Sequence, residues 1–303
     1  MITGKPYCSA GVLGRRCYSC DSGGRIKYGG IDFERRELCG PRDKQTEGAH
    51  KLAGPGKAAV TNLYYGRIIL DSGDAPLEFS TGTHETGLVC LNGRAAVEAA
   101  GKRFELGRYD ALYVPRDSQV RVAPLDAGCD LAELSAPVTG QYPLQFVSFA
   151  DVLRDPTLHF ATGGPNDQRE LHILIGKNVQ AGRIVTGVTF TKPGNWASWP
   201  PHEHAAMLEE AYLYIDMPAP SWGLQLVYTD PLKPELVVAV REGDVVAMPV
   251  GYHPNVAAPG STIGFMWMMA ACREGVDRQF GVVNVQPEYA KGGSGLEAAH
   301  GKK

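Results

Sequence analysis

From about Ala58 onward the chain is written in short apolar runs broken by Gly, Pro, Asp and Asn. Runs this short, bounded by turn formers, predict strands rather than helices, so the expected fold class is all-β. A first series comprises Leu63 to Leu70, Gly87 to Leu91, Ala95 to Glu98, Ala111 to Val114 and Asp130 to Ser135. A second comprises Ile184 to Thr191, Ala211 to Ile215, Leu224 to Tyr228, Leu236 to Val240, Val245 to Met248 and Ile263 to Met269. Between them, Phe149 to Asp155 spaces its apolar residues as a helix does, and Gly163-Gly164-Pro165-Asn166 interrupts it. The junction between two β domains is expected there.

The two series superimpose. Tyr109-Asp110-Ala111-Leu112-Tyr113-Val114-Pro115 matches Gly243-Asp244-Val245-Val246-Ala247-Met248-Pro249 without a gap, which marks an internal repeat. Four residues past each proline stand Gln119 in the first copy and His253 in the second. The first copy has Thr83-His84-Glu85-Thr86-Gly87 where the second has a His-Glu-His cluster, and a lone histidine cannot build the same site. The first copy is therefore expected to pack and brace. The expected organisation is an N-terminal extension over 1–57, a first β domain with a degenerate site over 58–140, a linker with a short helix over 141–168, a second β domain over 169–290, and a tail over 291–303.

Length and charge narrow the partners. The 303 residues supply enough chain for two modest domains, and a formal charge of -3 with interspersed signs gives no footprint for nucleic acid or an anionic membrane. Ile263 to Cys272, the longest strongly apolar stretch, falls far short of the roughly 20 residues a spanning helix needs. The start, Met1-Ile2-Thr3-Gly4-Lys5-Pro6, lacks the basic and apolar segments of a secretory signal, so a cytoplasmic location is expected. The odd count of 7 cysteines agrees with reduced thiols. Cys8, Cys17, Cys20 and Cys39 contain one CxxC and could hold a structural zinc, but the surrounding Gly, Arg and Ser favour a partly disordered extension.

The chemistry concentrates in the second copy. In Pro200-Pro201-His202-Glu203-His204, an extended backbone projects His202 and His204 to one face and Glu203 to the other. The next strand must return a carboxylate. Glu209 and Glu210 are both candidates, and alternation lets only one face inward. Spacing from His204 leans to Glu209, whereas Glu210 shares its face with Tyr212 and Tyr214, and the polar phase prefers Glu210. The Pro249-Val250-Gly251 bend then carries His253 back toward the same point. Three imidazoles and a carboxylate suit a divalent first-row metal, zinc or manganese ahead of iron or nickel, with one or two positions left for water or substrate.

These residues resemble the cupin metal signature, and their wording is similar to that of the 5-deoxy-glucuronate isomerases of myo-inositol catabolism. The matching segments are Pro193 through His204, Glu209-Glu210-Ala211-Tyr212, Val227-Tyr228-Thr229-Asp230, Glu242 through Val246, and Gly251-Tyr252-His253-Pro254. The short link Ala205-Ala206-Met207-Leu208 instead resembles the 5-keto-4-deoxyuronate isomerases of pectin breakdown, and the cysteine-bearing N-terminus matches neither.

The resemblance implies a double cupin, and an aldose to ketose rearrangement of 5-deoxy-D-glucuronate to 2-deoxy-5-keto-D-gluconate through a metal-assisted enediolate. It implies metal ligation by His202, His204, Glu210 (or Glu209) and His253. Glu210, Tyr228 and His172 become candidates for catalysis, and Tyr212 is a further candidate for the proton shuttle and for substrate binding. Arg169 becomes a candidate clamp for the substrate carboxylate, against an ion pair as the plainer reading. The implied partner is a uronate-type sugar acid, and exposed sheet edges suggest a homo-oligomer. A cupin dioxygenase or a non-catalytic sugar-binding cupin are the rival readings.

Overall fold

Alternation along each strand separates side chains into three apolar cores, and those cores define the architecture. The computed structural model describes residues 60–204 and 206–292, preceded by the backbone of four short strands. The four-cysteine reading and the disorder expected over 1–57 lie outside the residues whose side chains are described, as does the tail beyond 292.

The first domain is an eight-stranded sheet built around Tyr64–Asp71, His84–Ala99, Ala111–Val114 and Gln119–Pro137. The two runs expected at 87–91 and 95–98 form one strand, His84–Ala99, whose pairing with Gln119–Pro137 shifts register between Leu125 and Cys129. That irregularity lets both halves of the long hairpin curl over one interior, filled by Leu88, Cys90, Val97, Leu112, Val114, Val120 and Leu131.

In the second domain a seven-stranded sheet carries Val245–Met248, Leu208–Ile215, Gly264–Ala271, Ile184–Thr191, Arg169–Ile175 and His159–Thr162 in that order. A four-stranded sheet containing Gly223–Val227 and Leu236–Val240 covers its inner face. Between them lie Ile173, Tyr212, Tyr214, Val227, Phe265, Trp267 and Met269.

The third core joins the domains. Tyr65, Val89, Tyr113 and Leu134 of the first pack against Leu174, Ile184, Ala211, Leu213, Met266 and Met268 of the second. Two buried carboxylates cross this interface in opposite directions. Glu85 accepts backbone N–H groups of Gly182 (2.7 Å), Arg183 (2.5 Å) and Ile184 (2.7 Å), and the Tyr113 hydroxyl at 2.6 Å. Glu209 accepts those of Thr61 (2.7 Å), Asn62 (2.7 Å) and Leu63 (3.1 Å). Charge-assisted bonds to otherwise orphaned strand-start amides offset the cost of burying each charge.

The helix read at the junction is Phe149–Arg154. Gln145–Val147 extends the first sheet and His159–Thr162 the second, so the segment between the sheets is shorter than the expected 141–168 linker. Among the described residues, no helix is long and apolar enough to cross a membrane.

Candidate metal centre

Strand phase selects between the paired glutamates. Leu208, Tyr212 and Tyr214 belong to the core inside the second domain, and Ala211, Leu213 and Ile215 to the core between domains. Glu210 shares the inward phase and is 1% exposed. Glu209 takes the other phase and is committed to the amides of 61–63, which removes it from the candidate ligands.

His202 sits on a two-residue strand, His202–Glu203, paired with Asn284–Val285, and His204 follows it outside any strand. The extended strand expected to carry both imidazoles ends at Glu203, yet the rings converge. His253 arrives through a bend in which Gly251 has φ +94°, a conformation that favours glycine. Ring centroids of His253 lie 5.0 Å from His202 and 5.2 Å from His204, and one nitrogen of each of these three rings lies within 4.8 Å of the others.

The backbone fixes which nitrogen that is. His202 Nδ1 lies 2.9 Å from the Pro200 carbonyl, His204 Nδ1 2.9 Å from that of Leu208, and His253 Nδ1 2.8 Å from that of Gly251. A carbonyl only accepts, so each Nδ1 donates and each neutral ring presents its Nε2 lone pair inward. Glu210 Oε2 lies 2.9 Å from His204 Nε2 and 3.0 Å from His253 Nε2. Lone pairs facing lone pairs repel unless a proton or a cation lies between them. His253 Nε2 is buried without a hydrogen-bond partner, as expected of an atom whose partner is a metal. Three oriented imidazoles and one carboxylate thus fit a divalent cation, with Nδ1 anchors of the kind that hold metal-ligating histidines.

Titration follows the same geometry. Burial, then the neighbouring His253 and His204, push His202 down to about 3, which keeps it neutral. Burial works against charge on Glu210 and His204, but their mutual attraction prevails: it holds Glu210 at about 2 and raises His204. Burial and the nearby Glu210 raise Tyr212 well above the usual phenol range, so its hydroxyl stays protonated.

The other candidates divide by strand face. Tyr212 is 3% exposed, its ring meets His253 edge-on at 5.9 Å, and its hydroxyl shares a 2.6 Å hydrogen bond with Ser198. Arg169 lies on the inward face of its strand, in the phase of Ile173, and Tyr212 belongs to the same inner core as Ile173. Its guanidinium already donates to the Asp167 carbonyl (2.7 Å), the Asp167 carboxylate (3.1 Å) and the Trp199 carbonyl (2.6 Å). The plainer ion-pair reading of Arg169 is therefore present in the structure.

His172, expected near the reacting carbon, faces the opposite way. It takes the phase of Leu174, and its ring packs on Phe149, Phe190 and His159 at the interface between domains. Tyr228 donates to Gln286 at 2.7 Å and its ring neighbours Tyr252.

Sequence reasoning passed over Gln225. Fully buried, it accepts the Tyr214 hydroxyl at 2.5 Å and donates to the carbonyls of His253 (2.9 Å) and Pro254 (3.1 Å), fixing the backbone that carries the last imidazole. Its signal was a lone amide at an inward position of the apolar run Leu224-Gln225-Leu226.

Two all-β domains, one lined by apolar side chains and the other by a tri-histidine and carboxylate cluster, define a double cupin whose second domain carries the candidate metal centre. The chain belongs to the KduI/IolB family, whose sequence pattern it matches over residues 42–285. It is 32% identical over 203 residues to a 5-deoxy-glucuronate isomerase of Geobacillus thermodenitrificans, covering 61% of this chain and 72% of that one. It is 26% identical over 208 residues to a 4-deoxy-L-threo-5-hexosulose-uronate ketol-isomerase of Caldicellulosiruptor bescii, covering 67% and 73%. Among solved structures, an IolB-like protein from Salmonella typhimurium LT2 superimposes with a TM-score of 0.71 at 24% identity, covering 82% of this chain and 96% of that one. A mutant oxalate decarboxylase of Bacillus subtilis has the same fold, with a TM-score of 0.56, 13% identity, and coverage of 89% and 81%.

Proposed function

We propose that the protein is an aldose–ketose isomerase that converts 5-deoxy-D-glucuronate to 2-deoxy-5-keto-D-gluconate with a divalent metal, zinc or manganese. The observation that carries the reading is the set of Nδ1-anchored histidines whose Nε2 atoms meet Glu210. Family membership and the names of the relatives supply the reaction class.

In this reading His202, His204, Glu210 and His253 hold the cation. When bound, it supplies Lewis acidity that polarises the sugar carbonyl and offsets the negative charge developing on the sugar oxygens. The reaction moves a proton from the hydroxyl-bearing carbon to the neighbouring carbonyl carbon, and the hydroxyl proton to the former carbonyl oxygen, with no net redox change. Tyr212 is suited to donate a hydrogen bond to a sugar oxygen, because burial keeps its phenol protonated beside His253. Arg169, beside Tyr212, is suited to receive the substrate carboxylate, by exchanging part of its contact with Asp167.

A second reading, the 4-deoxy-L-threo-5-hexosulose-uronate substrate of the Caldicellulosiruptor relative, is favoured by the four-residue link Ala205-Ala206-Met207-Leu208. Metal-replete protein incubated separately with each sugar, with the aldehyde followed by NMR, decides between them. Loss of the 5-deoxy-glucuronate aldehyde supports the first reading. Turnover of the other sugar alone supports the second, and turnover of neither overturns both.

A further inference from the structure

The edge of the seven-stranded sheet carries another histidine and carboxylate group, on the strand face opposite to that of Arg169. His159 stands directly opposite His172 in the register of two antiparallel strands, and Glu170 lies two residues before His172 on the same face. One nitrogen of each ring and a carboxylate oxygen all lie within 4.8 Å of one another. His159 Nε2 is 3.9 Å from Glu170 Oε2.

His172 supplies a fixed donor. It is 4% exposed, and its Nδ1 is buried with no hydrogen-bond partner, which is costly unless another group satisfies it. Burial, then the neighbouring His159, push its pKa down to about 4, so the ring is neutral and carries a free lone pair near neutral pH. His159 has its Nδ1 3.3 Å from the Leu153 carbonyl, which leaves Nε2 to face Glu170, the same division of labour as in the main cluster.

We propose that His159, Glu170 and His172 form a second divalent-cation site, of the zinc type, completed by solvent water. Two imidazoles and one carboxylate are a zinc donor set. The two rings now stack at 4.4 Å with 11° between their planes, so binding requires rotation of His159 and Glu170 toward His172. Both are only partly buried, and the contacts given up or loosened are modest: the exposed ion pair of Glu170 with Lys192 at 3.6 Å, the stacking of His159 on His172, and the 3.3 Å contact of His159 Nδ1 with the Leu153 carbonyl. The ion would staple the edge strand to its neighbour directly beneath the helix Phe149–Arg154, the segment that links the two domains. Its role is structural and does not depend on the isomerase reading.

The test counts ions in the full-length His253→Ala chain, where the main site is disabled, after equilibrium dialysis against chelator-buffered zinc. His159→Gln and Glu170→Gln, each added to that chain, change partly exposed positions, and circular dichroism confirms that each variant folds. The expected result is one fewer zinc per chain for each variant, and a zinc-dependent rise in Tm that the variants lose. Equal zinc content in parent and variants overturns the proposal, whatever ions the cysteines of the N-terminal segment retain. Should the His253→Ala chain fail to fold, the same substitutions in the wild-type chain give the same difference of one ion or overturn the site.

Discussion

The two domains share one frame and differ at the positions that make chemistry. Thr86 pairs with Val114 and Glu210 with Met248, and Val114 and Met248 occupy equivalent places in the ungapped repeat. Glu85 is therefore the counterpart of Glu209, and Thr86 of Glu210. The equivalence extends to the strand starts: Tyr64 and Thr86 both pair with Ser135, and Val185 and Glu210 both pair with Met269, so 61–63 correspond to 182–184. Each clasp glutamate thus binds, on the other domain, the counterpart of the amides that bind its partner. The outward carboxylate is kept in both copies because both halves of the joint need it. The inward position is free to diverge, and holds a metal-type ligand only in the second domain.

The most severe test of that contrast compares the two residues that follow the repeat's proline. His253 is 1% exposed and aimed at Glu210, whereas Gln119 is exposed on a strand start facing Ser80. His253→Ala is expected to abolish turnover and to lower the metal retained after dialysis. Gln119→Ala should alter neither, so unchanged activity in His253→Ala would end the assignment of the second domain as the reactive one.

Next in size are the clasp residues. Replacing Glu85 or Glu209 by Gln trades a charged acceptor for an amide that meets three backbone donors with a single oxygen. Loss of charge-assisted bonds and the exposure of unsatisfied amides are expected to cost about 3 kcal/mol each in urea denaturation. Glu85 should cost more, since it also receives the Tyr113 hydroxyl. Metal content should survive in both variants, and a Glu209→Gln protein that loses its metal would return Glu209 to the ligand set and break the repeat correspondence.

A smaller effect is expected at Gln225. Gln225→Leu keeps the volume but frees the carbonyls of His253 and Pro254, and support of this kind around a ligand is worth about 10- to 100-fold in metal affinity. Competition against a chromophoric chelator measures it, and affinity within twofold of wild type would show that the Pro249 to Gly251 bend positions His253 unaided.

Much of this was legible in the chain. Strand positions in the second series emerged from apolar runs, and Ile184–Thr191, Leu236–Val240 and Val245–Met248 form over the ranges expected. The repeat, and the inward phase of Glu210, followed from periodicity. What periodicity could not carry was side: the phase of Arg169–Ile175 is invisible in a run buried on both faces, so His172 was expected near the reacting carbon as a proton shuttle when it belongs to the interface between domains. Arg169-Glu170-Leu171-His172 spans three steps of a strand, which necessarily puts its first and last residues on opposite faces. The clasp was hidden for a different reason, since a glutamate bonded to distant backbone amides leaves no local signature.

The smallest effect belongs to His84, the histidine of the first copy nearest in sequence to the clasp. It is half-buried and meets Tyr64 edge-on, with ring centroids 4.8 Å apart, and it belongs to neither metal-type group of the described residues. A contact of this kind is worth about 1 kcal/mol. His84→Ala is therefore expected to lower stability by about that amount in thermal or urea unfolding, while turnover and metal content stay at the wild-type level. His84 also immediately precedes Glu85. If replacing it disturbed the clasp, the loss would approach the cost of Glu85→Gln rather than that of one aromatic contact. A loss of bound metal would instead mean that the first domain supports the second one's site through the joint, and that the apparent division between a bracing half and a reactive half is wrong.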